Sequence, residues 1–494
     1  MSSMYHGLSR LDQLVKVCLH QEGPDKPFAS VFGRLRPPNP VLIKNITHQD
    51  VIDKLDELSQ TMARDENEDG PADAGMTFLG QFVDHDITMD ATSALGTRID
   101  PATIVNVRSP ALDLDCVYGA GPEASPHLYG KDDADHYLMF GTAHNEKDLA
   151  RTSAEKALIG DPRNDENIIV SQIQGMFIRL HNTLMSKIDE GGGMAEEICE
   201  CAHGGLEAHV WHDYVHPKLK NFEEVRRFIR LHYQWCVWNE FLPSFVDQAC
   251  LDRAMATDVF SWNAPVMPVE FSGAAYRFGH ATTQAGYKLT ADGDQDHLFK
   301  FLGFGKRPVA ADMDMGMFFA MKDGPSVQKA RPVGPGLGRT LLELPFVKDE
   351  IELSDIEITM TLAQSKNLAL RNMIRDRYTY QLASGQQMAA FLGEEEVAVP
   401  DVLKQAGFAK TPLWFYCLQE AEQHGNGKLT GVGGLIVASV FANLLKRDKT
   451  TYLHHHHFKP WKGFGGQPSV LAGMMAYVEE HWSDSNHREA LKSG

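Results

Sequence analysis

A single large domain, mainly α with long loops and little β, is predicted for this chain. Three observations predict it. Several stretches repeat their apolar residues at helical spacing, whereas few alternate as strands should. No Pro/Gly/Ser linker and no fixed-period repeat divides the 494 residues. A hydrophobic content of 43% supplies one sizeable core. Length alone would suggest about three domains, but the absence of any break argues for one. The expected organisation is an N-terminal arm over residues 1–40 and a single domain over 41–494.

The elements follow in order. Arg34-Leu35-Arg36-Pro37-Pro38-Asn39-Pro40 is broken by prolines, so the arm is expected to run extended over the surface. Asp65-Glu66-Asn67-Glu68-Asp69-Gly70 misses EF-hand spacing and reads as a solvated acidic loop. From Ile168 to Ile188, apolar residues at Ile169, Ile173, Met176, Phe177, Leu180 and Leu184 predict a helix with one buried stripe. A second helix is predicted from Phe222 to Leu242, stopping at Pro243. Asp355 to Met360 is expected to enter a helix ahead of Asn372. Leu429 to Leu445 is uncharged but too short to span a bilayer comfortably, and reads as a buried helix. His454-His455-His456-His457 sets up no single coordination geometry and reads as a solvent loop.

A net charge of -19 argues against nucleic acid and anionic lipid as partners. The seven cysteines are scattered and odd in number, which favours reduced thiols. The N-terminus lacks a basic start and an apolar core, so no signal peptide and no transmembrane segment are expected, and the expected location is cytoplasmic.

The densest chemistry lies in Gly80-Gln81-Phe82-Val83-Asp84-His85-Asp86, behind the apolar lead-in Met76-Thr77-Phe78-Leu79. On a helix, Gln81 and His85 stand one turn apart and share a face, Asp84 lies beside it, and Asp86 points elsewhere. Three further blocks follow. They are Gly160-Asp161-Pro162-Arg163-Asn164-Asp165-Glu166-Asn167, Tyr276-Arg277-Phe278-Gly279-His280, and Asn372-Met373-Ile374-Arg375. A histidine near neutral pH can act as base and then acid, and a nearby arginine can stabilise developing negative charge. Separately, Ser109-Pro110-Ala111-Leu112-Asp113-Leu114-Asp115 places oxygen donors at alternate positions, which suits a loop wrapping one hard cation.

The four blocks in this order resemble the animal-type haem peroxidases of the peroxidase–cyclooxygenase superfamily, from about Met76 to about Leu445. The resemblance suggests a bacterial, myeloperoxidase-like homologue. It implies a helical haem-peroxidase domain holding haem b. The implied activity is a haem-dependent peroxidase, an oxidoreductase that uses H₂O₂ to oxidise phenols, amines or halides through a ferryl state, with a part in the response to oxidative stress. His85 is then the distal base, Arg163 the distal charge stabiliser, and Gln81 the holder of a distal water or small anion. His280 is the proximal iron ligand, Arg277 the propionate partner, and Asn372 the acceptor for the His280 imidazole N–H. Gly279 would let the porphyrin approach closely. Asp84 and Glu166 match the carboxylates that become esters to haem methyl groups, while Asn167 stands where myeloperoxidase forms a sulfonium link, so no such link is expected. The resemblance also implies Ca²⁺ held by Asp86, Ser109, Ala111, Asp113 and Asp115, with Asp115 where the family usually has serine. The alternatives are a fatty-acid dioxygenase of the same superfamily and a non-catalytic haem- or calcium-binding protein. The oxygenases carry a tyrosine three residues before the proximal histidine; here that position is Arg277, and Tyr276 is one residue off.

Overall fold

The computed structural model describes residues 32–37, 46–89, 110–131, 136–189, 221–261, 267–455 and 458–482, together with 95, 97, 98, 106, 108 and 491. Among these, the helices that bear on the site and its packing are α1 (His48–Gln60), α2 (Ala74–Ile87), α3 (Ile168–Asp189), α4 (Phe222–Cys236), α5 (Gln248–Ala256), α6 (Leu368–Ile374), α7 (Leu413–His424), α8 (Gly431–Arg447) and α9 (Val470–His481). Strand among the described residues is confined to three two-stranded pairs: Phe32–Gly33 with Met267–Pro268, Ala63–Arg64 with Leu337–Gly338, and Ile351–Leu353 with Ile358–Met360. The mainly α architecture is as the sequence predicts.

Local chemistry starts the helices. Thr47 and Asp50 close a capping box ahead of α1. The Asn167 side-chain oxygen accepts from Ile169 N and Val170 N and so caps α3. Asn221 and Asn367 cap α4 and α6 in the same way.

Helix α3 differs from its expected form. It is buried from Ile168 through Ser186 on every face, not along one stripe. Its polar residues are accommodated by bonds to neighbours: Gln174 reaches Cys116 O, and Asn182 bonds the Leu138 backbone through both ends of its amide. Against this central helix lie α2, through the stacked Phe82 and Phe177 rings at 5.0 Å, and α4, through Tyr233.

Four other expectations need correction. Pro243 does not stop the chain's helical course: α4 passes into a π turn over Val237–Phe241 and a short helix over Leu242–Phe245, where proline sits in a first turn that needs no N–H from it. The segment before Asn372 is not a helix entry. A 3-10 turn over Ser354–Ile356 leads through Glu357 at φ 56° into the strand Ile358–Met360, whose alternation suits a hairpin; helix resumes at Leu362–Lys366. The end of the arm is docked: Phe32 is buried, and the Leu35 and Arg36 amides donate to Glu270. Most of the arm lies outside the described residues. His454 and His455 are half-buried and bonded to Lys446 O and the Arg227 guanidinium, while His456 and His457 lie outside the described residues.

Two expectations stand. The acidic loop is exposed at 65–69, and α8 is buried from Val432 to Leu445. Among the described residues, no helix is long and apolar enough to cross a membrane.

Candidate active site

Helix α2 carries Gln81, Asp84, His85 and Asp86 into the interior. Its Gly80 lies against Phe241, where an added Cβ would stand 2.9 Å from the ring. The Tyr276 hydroxyl donates to Gly80 O at 3.1 Å. That bond ties α2 to the 3-10 turn Ala275–His280, so the first and third motif blocks meet. The second block, a 3-10 turn over Pro162–Asp165, also packs on α2.

His85 is buried, and its Nδ1 lies 2.7 Å from Asn164 Oδ1. An amide oxygen only accepts, so Nδ1 carries the proton and Nε2 is left as the free base. Asn164 is itself fixed, donating to Gln174 Oε1 at 2.9 Å. Burial, reinforced by the Arg163 charge, lowers the His85 pKa to about 4, so the ring is neutral at pH 7.

Arg163 is clamped from several sides. Its Nη2 donates to His85 O, Thr88 O and Asp161 Oδ2 at 3.2, 2.7 and 2.8 Å, and its Nε donates to Asp161 Oδ1 at 3.1 Å. Burial works against ionisation of Asp161. The hydrogen bond and charge of Arg163, with the charge of Arg108, outweigh it and hold the carboxyl at about 2.

Gln81 does share the side of α2 that faces the second block. Its amide donates to Glu166 and accepts from Asn167 Nδ2 at 3.1 Å, so both ends of the amide are engaged. Glu166 is pushed up to about 7 by burial, against the Arg163 charge. Asp84, half-buried, accepts from Thr88 Oγ1 at 3.0 Å.

On the other side, His280 ends its 3-10 turn. Burial with the charges of Arg277 and Arg375 lowers its pKa to about 3. Asn372 on α6 meets His280 Nδ1 at 3.0 Å through its amide nitrogen, while its Oδ1 is buried with no partner. A half turn of the amide exchanges the two atoms at little steric cost. Oδ1 then accepts the Nδ1 proton, and Nε2 presents a lone pair. Beside the ring, a Cβ on Gly279 would meet nothing within 4 Å, which leaves open space where a flat macrocycle needs it. Arg277 Nε donates to Ser272 O at 2.9 Å.

The third cluster is Asp86, Asp113 and Asp115. All are buried, each offering an oxygen within 4.8 Å of the others. Asp86 Oδ1 and Asp115 Oδ2 lack hydrogen-bond partners; the Tyr233 hydroxyl lies near Asp86 without completing a bond. Burial and the Asp113 charge push Asp86 up to about 8 and raise Asp115 well above the carboxylate range. Carboxylates packed this way are suited to a hard cation. Ala111 is buried in the same loop, whereas Ser109 lies outside the described residues.

The geometry thus gives a buried neutral imidazole beside a fixed arginine, joined to a second imidazole with an amide behind it. Residues 91–309 match the family model for animal haem peroxidase, a span that holds Arg163, Glu166, Arg277 and His280 but neither His85 nor Asn372. Chorion peroxidase of Drosophila melanogaster is 22% identical over 393 residues, covering 71% of this chain and 42% of that protein. The chain therefore spans less than half the length of that relative. Peroxidase A from Dictyostelium discoideum has a similar fold, with a TM-score of 0.57 at 15% identity over 94% of this chain and 93% of its own. The chain is thus similar to members of the peroxidase–cyclooxygenase superfamily, in sequence over residues 91–309 and in fold.

Superfamily members are haem-dependent oxidoreductases, and haem is the group the family implies. The same fold is found in the fatty acid alpha-dioxygenase of Oryza sativa, with a TM-score of 0.56 at 14% identity over 94% of this chain and 82% of that one. The fold therefore accommodates both reaction types. Within the superfamily frame, sequence reading gave no role to Asn164, Gln174, Asp161 or Arg108. Asn164 and Asp161 sit in the Arg163 block and Arg108 directly precedes Ser109, so proximity was the only signal.

Proposed function

We propose that this protein is a haem peroxidase that uses H₂O₂ to oxidise small electron donors such as phenols, amines or halides. One observation carries the reading: His85 is held by Asn164 in the tautomer that leaves Nε2 basic, with Arg163 clamped alongside. A peroxide needs that pair, because one oxygen must lose a proton while the other gains one and sheds charge.

The residues present fit haem. His280 would supply a nitrogen ligand to the iron, and the orphaned Asn372 oxygen is the natural acceptor for its far N–H. Open space at Gly279 adjoins the ligand. Arg277 supplies a fork for a propionate. When bound, haem supplies the redox chemistry that cleaves the O–O bond. His85 Nε2 would take the proton from one peroxide oxygen and return it to the other. Arg163 stabilises the charge developing there, since guanidinium stays protonated. Gln81 braces Glu166 and Asn167 and borders the space where water or a small anion is held. Asp84 and Glu166 are the carboxylates for ester bonds to the macrocycle. Asp86, Asp113, Asp115, the Ala111 carbonyl and Ser109 would hold Ca²⁺, and Asp86 adjoins His85 on α2.

A fatty-acid dioxygenase is the second reading, favoured by the shared fold. Against it, the position three before His280 is Arg277, and the Tyr276 hydroxyl is spent on Gly80 O. The test is the absorption spectrum of haem-loaded protein before and after one equivalent of H₂O₂, followed by a phenol or by palmitate with O₂ uptake recorded. A Soret shift reversed by phenol supports the peroxidase. Peroxide inertness overturns it, and O₂ uptake with palmitate selects the dioxygenase.

A further inference from the structure

We infer that Arg108 and Asp161 are positioning residues that transmit cation occupancy of the Asp86–Asp113–Asp115 cluster to the guanidinium of Arg163. The inference rests on the peroxidase reading, in which Arg163 meets the peroxide.

A continuous run of charged groups joins the two places. Asp115 Oδ1 accepts from Arg108 Nη1 at 3.2 Å. Arg108 turns its fork on Asp161, with Nε and Nη2 donating to Oδ2 at 2.9 and 2.6 Å, and Nη2 also donating to Gly160 O at 2.9 Å. Asp161 in turn holds Arg163 through both carboxylate oxygens and also accepts from its backbone N at 2.9 Å. Side-chain exposure is 0% at Asp115 and Asp161 and 9% at Arg108, against 28% at Arg163. Only the far end reaches accessible space. The backbones are seated closely: a Cβ on Gly160 would collide with Asp115 O.

Charge tells what the run responds to. The group contains four carboxylates (Asp86, Asp113, Asp115 and Asp161) and two guanidiniums (Arg108 and Arg163). With all four carboxylates ionised, as cation binding requires, the surplus of two negative charges is what one divalent cation neutralises. Asp115 divides its oxygens, Oδ1 to Arg108 and Oδ2, otherwise unpartnered, to the ion. Without the ion, the Asp115 carboxylate that accepts from Arg108 Nη1 is no longer fixed by its other oxygen, and the Arg108 fork shifts on Asp161. Asp161 then holds Arg163 less firmly. The two sites are thereby coupled through differential contacts.

The experiment uses the full haem-loaded chain and its Arg108→Met, Arg108→Lys and Asp161→Asn variants, each with Ca²⁺ and after chelation by EGTA. Three quantities are read: cyanide affinity from the Soret band, the rate of the peroxide-driven Soret change, and Ca²⁺ binding by calorimetry. In the unsubstituted chain, chelation is expected to weaken cyanide binding and slow the peroxide step by about 10-fold, with haem retained. Arg108→Met should start near that lowered level and lose the response to chelation while still binding Ca²⁺. Arg108→Lys, which keeps the charge but not the fork, should fall between. Full chelation response in Arg108→Met overturns the inference, as does failure of the unsubstituted chain to bind Ca²⁺. If Arg108→Met does not fold, Asp161→Asn carries the same comparison. If ferric haem ignores peroxide in every form, the peroxidase reading falls, and the cyanide affinities alone decide the relay.

Discussion

The two sides of the site are built differently. Around His85, side chains hold side chains: Asn164 on the imidazole, Gln174 on Asn164, Asp161 on Arg163, Arg108 on Asp161. Around His280 the positioning comes largely through the backbone. Asn372 touches the ring, but Arg277 Nε bonds Ser272 O, Trp414 Nε1 bonds Arg277 O, and Trp414 N bonds Asp376. The physical lesson is about tolerance. A ligand atom needs one direction, which a packed turn can supply. Proton transfer and charge stabilisation need a tautomer and several donors held together, and these require buried partners.

The comparison can be broken most severely at its centre. His85→Ala should leave the Soret band of bound haem intact while slowing the peroxide-driven spectral change by roughly 10²–10⁴-fold. Stopped-flow absorbance gives the answer, and an unchanged rate removes His85 from the chemistry. On the proximal side, Asn372→Leu should cost roughly 10–100-fold in activity or haem affinity, the usual range for a partner that orients a ligating imidazole. Haem titration alongside steady-state turnover separates the two losses.

Asn164→Ala sharpens the contrast. Losing one neutral hydrogen bond of about 1 kcal/mol should slow the peroxide step roughly 5–10-fold. It should do so without changing haem affinity, because nothing on the His280 side is touched. Equal losses in rate and haem affinity would mean that Asn164 merely supports the fold.

The smallest effect is that of pH on the metal-free apoprotein. His85 and His280 have folded pKa values near 4 and 3, below the ordinary 6.5. Between those values the unfolded chain binds more protons, so their contribution is intact above pH 6.5 and is lost as pH falls toward 4 and then 3. Asp86 at about 8 and Glu166 at about 7 carry the opposite sign: the folded chain holds their protons more tightly, and stability is lost as pH rises through those values. The two windows overlap below pH 6.5, where the opposing slopes offset, so urea midpoints should stay nearly level up to about pH 6.5 and fall from there to about pH 8. Calcium should remove the alkaline loss due to Asp86, and a midpoint that is flat and indifferent to Ca²⁺ would count against both assignments.

Much of this was legible in the chain. The spacing of Gln81 and His85 on one helix face, the Arg163 block, and the pairing of His280 with Asn372 could be read because each is either local or carried by an ordered set of motifs. The fold class followed from periodicity. What stayed hidden was of one kind. Helix α3 shows a clear stripe, yet it is buried all round, since burial depends on what packs against the remaining faces. Asp355–Met360 turned out to be a hairpin arm because pairing with Ile351–Leu353 outweighed local helix bias.

The sequence by itself determined which groups are available: two imidazoles, a set of carboxylates and the arginines near them, in a mainly helical chain. Only the tertiary structure decided which proton His85 carries, which carboxylate Arg163 answers to, and that Arg108 joins the acidic loop to the arginine 55 positions later. The reason is physical. The bonds Arg108–Asp161, His85–Asn164 and Asn372–His280 join residues 53, 79 and 92 positions apart. Their energies depend on burial and direction, which exist only once the helices have packed.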